Sequence, residues 1–344
     1  MHSISHALAL RDLTDPSEGE HAMQLVLDAI HAALPVPVQL HRTPRIVRVA
    51  DNYDRLGYPP DGAARDARYT RYVSADEVLR SQMSAAIPPL LRQPLPDDVV
   101  LSCPGIVYRR DAIDRLHTGE PHQVDLWRIA RGELGVADLH AMIAAVVGAA
   151  LPGATWRTQP ATHPYTTDGL QIDAWWDGAW IEIGECGLAA RWLLPPGRWG
   201  LALGIGLDRL VMLRKGLPDI RLLRAADPRI ASQMRDLEPY RAVSLMPPVR
   251  RDLSIVVDAP PDVEALGDRV RGALGGQAEL VESVELVACT PYDALPPRAR
   301  ERLGIHCGQH NALVRVTLRA LDRSLSHREC NALRDRIWQA LIGA

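Results

Sequence analysis

Apolar side chains at Ala22, Met23, Leu25, Val26, Ala29, Ile30 and Ala33 recur at helical spacing. They predict a helix over 20–34, opened by a Ser17-x-x-Glu20 capping box and stopped by Pro35. Residues 38–49 alternate as extended chain, 58–68 form a polar, Gly/Pro-rich loop, and 74–91 read as a short helix. Two extended runs, 99–107 and 122–129, flank a polar connection and predict a long hairpin; 136–150 then has the period of a helix. Alternation resumes over 171–183 with a turn at Asp177-Gly178, and a strand from Trp199 to Gly206 feeds a helix over 207–215.

The pattern changes at 239–248, where Pro247-Pro248 reads as a linker between units of 1–238 and 247–344. Beyond it come a strand (253–257), a helix (262–274), a strand (281–287), a loop with Pro296-Pro297, a strand (312–319), and a helix (327–341) behind a second capping box, Ser326-x-x-Glu329. This βαββα order is one strand short of a ferredoxin-like βαββαβ. A length of 344 residues fits two domains. With 47% hydrophobic and 24% charged residues the chain is an ordinary globular one, which excludes disordered, collagenous and coiled-coil classes.

The net charge of −3 gives no global basic field, so a nucleic-acid partner has to be met by a local patch. No apolar run reaches spanning length and no basic-then-apolar leader opens the chain, which reads as cytoplasmic with no membrane partner. Five scattered cysteines without a C-x-x-C pair argue against a disulfide framework and a thiolate zinc site. One lysine, Lys215, stands against 38 arginines, as in a GC-rich coding sequence. Phenylalanine is absent, although eight tyrosines persist and a chain of this length would hold on the order of a dozen.

Charge concentrates in the hairpin connection: Arg109, Arg110, Asp111, Asp114, His117, then Gln123 and Asp125. Strand parity puts Arg109 with Asp111, and Gln123 with Asp125, so adjacent strands can aim an arginine and carboxylates at one floor. A planar guanidinium there suits a phosphate, while the alternative is a solvated ion-pair ladder. Gly204-x-Gly206 leads into a helix with Asp208 and Arg209 in its first turn, but lacks the third glycine and preceding parallel strand of a dinucleotide site. Glu182 alternates with apolar neighbours on an inner strand, where it meets either a metal-nucleotide or a buried arginine.

In order, these segments resemble the signature motifs of class II aminoacyl-tRNA synthetases, most closely the phenylalanyl-tRNA synthetases. Val107 to Asp125 resembles the second motif, Leu203 to Leu223 the third, and Asp51-Asn52-Tyr53-Asp54 with Leu79-Arg80-Ser81 the segment between the first two. Arg250-Arg251-Asp252-Leu253 and Leu321-Asp322-Arg323-Ser324 resemble a ferredoxin-fold anticodon-binding domain in a single-chain enzyme. The resemblance implies an α+β fold: an antiparallel-sheet catalytic core over 1–238 plus a ferredoxin-like domain over 247–344. It implies ATP, Mg²⁺ and an aromatic amino acid as ligands, tRNA as acceptor, and a monomer or homodimer.

It also implies roles. Arg109 would hold the α-phosphate and the amino-acid carboxylate, Arg209 the γ-phosphate, and Glu182, the metal-side residue, with Asp111 would act through Mg²⁺ or the nucleotide. His117, Pro121 and Gly206 fall at ATP-binding positions. Ser84, Gln123, Asp125, His163, Tyr165, Ala202 and Gly204 fall at amino-acid-binding positions, Asp125 replacing the family's Glu.

The departures gather in the pocket: His163-Pro164-Tyr165 stands for Phe-Pro-Phe, Leu201 and Leu203 for an aromatic pair, and Pro121 for the ring stacking on adenine. His163 and Tyr165 predict a substrate with a hydroxyl or a ring nitrogen. Two further classes stay open: ligation of the activated amino acid to another acceptor, and a non-catalytic binding paralogue.

Overall fold

The computed structural model describes residues 4–67, 69–110, 112–243, 247–321 and 323–342. Asp111 and Asp322 therefore lie outside the described residues.

Twelve strands are present among the described residues: β1 (Val38–Leu40), β2 (Ile46–Arg48), β3 (Glu77–Leu79), β4 (Asp98–Ile106), β5 (His122–Ala130), β6 (Trp156–Pro160), β7 (Thr166–Trp176), β8 (Ala179–Ala189), β9 (Trp199–Gly206), β10 (Val249–Val257), β11 (Val281–Pro291) and β12 (His310–Leu318). Seven form one sheet in the order β1-β4-β5-β9-β8-β7-β6, antiparallel except for β1 against β4. Three longer helices, α1 (Ala22–Ala33), α2 (Val136–Ala150) and α3 (Leu207–Lys215), cover one face.

The alternation of side chains sets the two faces apart. Val124, Leu126, Leu201, Leu203 and Ile205 point at the helices and are fully buried with Met23, Ile30, Ile143 and Val147. Gln123, Asp125, Ala202, Gly204 and Gly206 point the other way, into the open face. Leu201 and Leu203 thus belong to the helix-covered core and not to the pocket, because they have the opposite parity to Ala202.

The helix read over 20–34 begins at Ala22 and its cap is His21, not the Ser17/Glu20 box. His21 Nδ1 accepts from Met23 N–H at 3.1 Å and Nε2 lies 3.1 Å from Leu223 O, an arrangement that suits the neutral ring; burial drives its pKa down to about 4. The region read as one helix over 74–91 is instead β3, a 3₁₀ turn (Met83–Ala86) and a short helix (Ile87–Leu91) whose first turn accommodates Pro88 and Pro89. Lys215 is fully buried at the end of α3 and donates to Asp236 O, Asp236 Oδ1 and Glu238 O, pinning the segment that follows.

Residues 249–342 build a second, separate sheet in the order β10-β12-β11, all antiparallel, with α4 (Val263–Leu274) and α5 (His327–Ile342) over a core of Leu253, Val270, Val314 and Ile337. The Ser326/Glu329 box closes α5: Ser326 N–H donates to Glu329 at 2.9 Å and Glu329 N–H to Ser326 Oγ at 3.3 Å. A helix over Pro297–Leu303 occupies the region read as a loop. Ile113, from the β4–β5 connection, is buried in this second core, and Val284 N–H donates to its carbonyl at 2.9 Å.

Candidate active site

On the open face of the large sheet lies a cavity of about 320 Å³, of the size that holds a small ligand. Arg109, His117, Pro121, Glu182, Gly206 and Arg209 line one part of it. Ser84, Gln123, Asp125, His163, Tyr165, Ala202 and Gly204 line the other. The residues that the resemblance places at ATP- and amino-acid-binding positions all line this one space, Asp111 lying outside the described residues.

Arg109 lies beyond the end of β4, so strand parity does not aim it. Its Nε donates to Ser81 O at 2.8 Å and its backbone N–H to Gly119 O at 2.8 Å, which leaves the guanidinium exposed to the cavity. Arg209, in the first turn of α3, donates to Glu182 O at 2.9 Å and is 2.9 Å from His117 Nε2. His117 Nδ1 is 2.8 Å from both oxygens of Asp114. A ring that accepts from Arg209 and donates to Asp114 is the neutral tautomer, and the chain Asp114–His117–Arg209 orients the cation. Burial raises the Asp114 pKa, but hydrogen bonds from His117 and Leu116 N–H outweigh it and hold the carboxyl below its ordinary value.

In the same first turn of α3, Asp208 is buried and accepts from His122 N–H, with His122 Nδ1 3.3 Å away; His122 Nε2 accepts from Leu13 N–H at 3.0 Å. These contacts tie the N-terminal segment, β5 and α3 together beneath the two arginines.

At the other end Asp125 is 4% exposed, and burial pushes its pKa up to about 6 despite hydrogen bonds from Ser84 and Trp127. Trp127 and Tyr165 stack at 5.8 Å between centroids, with Tyr58 at 6.2 Å and His163 at 6.0 Å from Tyr165, so the wall here is aromatic. Tyr165 Oη is 3.3 Å from Ser84 Oγ, and Tyr58 donates to Gln82 at 3.1 Å.

A feature absent from the sequence reading is Glu185. Asp173 pairs with Glu182 but Ile172 with Gly184, so Ile183 is an extra residue in β8. This bulge shifts parity and turns Glu182 and Glu185, three apart, to the same face. His163 Nε2 is 2.9 Å from Glu185 Oε2. Simple alternation hides Glu185, and no residue pattern marks the bulge. Glu182 is 46% exposed; burial raises its pKa, Arg209 opposes that, and Glu185 adds to it.

The family model described as "tRNA synthetases class II core domain (F)" matches residues 12–234. The phenylalanine–tRNA ligase alpha subunit of Prochlorococcus marinus (strain NATL2A) is 32% identical over 201 residues, 57% of this chain and 59% of that protein. This chain thus spans less than two thirds of the length of that relative. The chloroplastic/mitochondrial phenylalanine–tRNA ligase of Arabidopsis thaliana is 27% identical over 312 residues, 85% of this chain and 68% of that protein. The mitochondrial phenylalanine–tRNA ligase of Saccharomyces cerevisiae is 23% identical, covering 86% and 80%. Matched along its large sheet and the cavity upon it, the chain belongs to the class II tRNA synthetase core family.

Proposed function

We propose that the chain activates an aromatic amino acid, phenylalanine or a polar relative, with ATP to form an aminoacyl-adenylate, and transfers it to tRNA. The observation that carries this reading is the convergence of Arg109, Arg209 and Asp125 on one cavity with an aromatic wall. Asp125 takes the α-ammonium, aided by Gln123 and Ser84. A carboxylate oxygen of the amino acid attacks the α-phosphorus, the bond to the pyrophosphate oxygen breaks, and Arg109 meets the charge that develops there. Arg209, held by His117 and Asp114, takes the γ-phosphate.

Mg²⁺ would arrive with the nucleotide and offset phosphate charge. Glu182 suits it, since a half-exposed carboxylate beside Glu185 gains from a cation. No group of three or more His, Cys, Asp or Glu stands ready to hold a metal among the described residues, so Glu182 would hold the ion only together with the nucleotide that brings it. A cytoplasmic setting fits the five free cysteines.

The test is amino-acid-dependent ATP–pyrophosphate exchange over the natural and common aromatic set. Arg109→Ala and Arg209→Ala should each abolish it, and near-wild-type exchange in either overturns these roles. One observation favours a second acceptor: from Arg241 onward there are 14 arginines and 13 acids, a net of +1, which is no basic footprint. Exchange without charging of any tRNA in a total pool would make ligation to a non-tRNA acceptor the function.

A further inference from the structure

The far wall of the amino-acid cavity has a polar group that the aromatic lining does not need. Asp125 pairs with Gly204 across β5 and β9, and Gly204 with Glu185 across β9 and β8, so the three lie in one row of the sheet. Two strand spacings put the Asp125 and Glu185 backbones roughly 10 Å apart. Gly204 adds no side chain between them; a Cβ there would come within 3.3 Å of Asp125 Oδ1. The row is thus a slot with a carboxylate at each end.

Glu185 is fixed from one side only. His163 Nε2 approaches its Oε2 at 2.9 Å, and His163 Nδ1 is already engaged by Thr166 Oγ1 at 3.2 Å. No other donor among the described residues reaches the Glu185 carboxylate. The hydrogen bond from His163 holds the Glu185 carboxyl below its ordinary pKa, so it faces the cavity ionised. An ionised carboxylate accepts hydrogen bonds and donates none. What it can recognise is therefore a donor, and His163 Nε2, 2.9 Å from Oε2, flanks it on the side away from that donor. A ring nitrogen that only accepts has no complement at Glu185, which narrows the hydroxyl or ring nitrogen expected from His163 and Tyr165 to a group that donates.

Resting on the proposed adenylation, we infer that Glu185, positioned by His163, is a specificity determinant. It selects an aromatic amino acid whose ring carries a hydrogen-bond donor, an amine or a hydroxyl, over phenylalanine. Asp125 takes the α-ammonium, Tyr165 and Trp127 flank the ring, and Glu185 takes the ring substituent across the Gly204 gap. Unsubstituted phenylalanine covers the cavity side of the half-exposed Glu185 carboxylate and offers it no donor beyond His163, which discriminates against it.

Calorimetric binding and pyrophosphate exchange are measured for phenylalanine, tyrosine, meta-tyrosine and 4-aminophenylalanine on wild-type, Glu185→Gln, Glu185→Ala and Arg209→Ala proteins. At least one donor-bearing amino acid should bind at least about tenfold tighter than phenylalanine. Glu185→Ala should reduce that preference by roughly 10- to 100-fold, the range for a hydrogen bond to a charged group. The isosteric Glu185→Gln supplies the same readout if the alanine variant does not fold. Arg209→Ala should leave the binding preference in place. Phenylalanine bound as tightly as every relative, no binding of any of them, or an unchanged preference in both Glu185 variants, overturns the inference. Donor preference in binding without any exchange upholds the inference and overturns the adenylation reading instead.

Discussion

Asp125 is the residue on which burial and function pull in opposite directions. Its carboxyl is held near pKa 6 by burial, above the 3.8 of an exposed aspartate. A folded pKa above the unfolded one means that the folded chain keeps the proton longer. The cost is therefore absent below about pH 4, grows through the interval to 6, and persists in full above it, at up to roughly 3 kcal/mol. Asp125→Asn should accordingly unfold at a higher urea concentration than wild type at pH 7. If Asp125 takes the α-ammonium as proposed, the same change should lower kcat/KM for the amino acid by about 10- to 150-fold, the loss of one charge-assisted bond. In wild type, kcat/KM should fall tenfold per pH unit below about 6, the free-enzyme pKa. An acid limb near 4, or an unchanged Asn variant, would contradict the assignment. Asp125 was legible in the sequence because an acid two residues from Gln123 shares its parity on one strand. Glu185 was not, because the register shift at Ile183 is a property of paired backbones and leaves no trace in residue type.

At the scale of elements, the long periodic segments were readable and the short ones were not. Residues 136–150, 199–206 and 207–215 form the helices and strand that their periods predict, because burial on one face fixes both type and extent. Residues 74–91 misread as a helix because apolar side chains there are buried all round within a strand and turns, where the period carries no information. The β4–β5 connection is decided by long-range contacts. Arg271 donates to Ala112 O at 2.6 Å, Val284 N–H to Ile113 O at 2.9 Å, and Ile113 is 7% exposed within the core of the second sheet. This connection also carries Arg109 and His117, so the C-terminal unit braces the end of the cavity proposed to take the nucleotide. Removing that unit would then not spare amino-acid activation, as its reading as a separate tRNA-binding module suggests. Ile113→Asp, which puts a charge into an apolar core, should raise KM for ATP about tenfold in exchange assays while altering KM for the amino acid far less. Equal effects on both would mean that the connection does not depend on its anchor.

For the whole molecule, the absence of phenylalanine is compatible with complete packing. Leu201 and Leu203 stand where the resemblance places an aromatic pair, and both are fully buried. Cores accept such exchanges when volume and patterning are kept, and here the replaced positions remain shut to solvent. Tyrosine and isoleucine persist under the codon bias that leaves a single lysine, and phenylalanine is the one residue type lost outright. Its consequence is direct: ribosomes need no phenylalanyl-tRNA to make this chain. When the housekeeping phenylalanyl-tRNA synthetase of an expression host is inhibited, synthesis of this protein should continue while that of phenylalanine-containing proteins of similar length stops. Pulse-labelling followed by affinity capture measures the two rates side by side. If the proposed transfer to tRNA extends to phenylalanine, growth should also recover as the protein accumulates; if the chain charges only donor-bearing relatives, synthesis persists without recovery. A rate that falls in step with the phenylalanine-containing controls would show that the missing residue confers no independence from charged phenylalanyl-tRNA, and would leave coding drift as its cause.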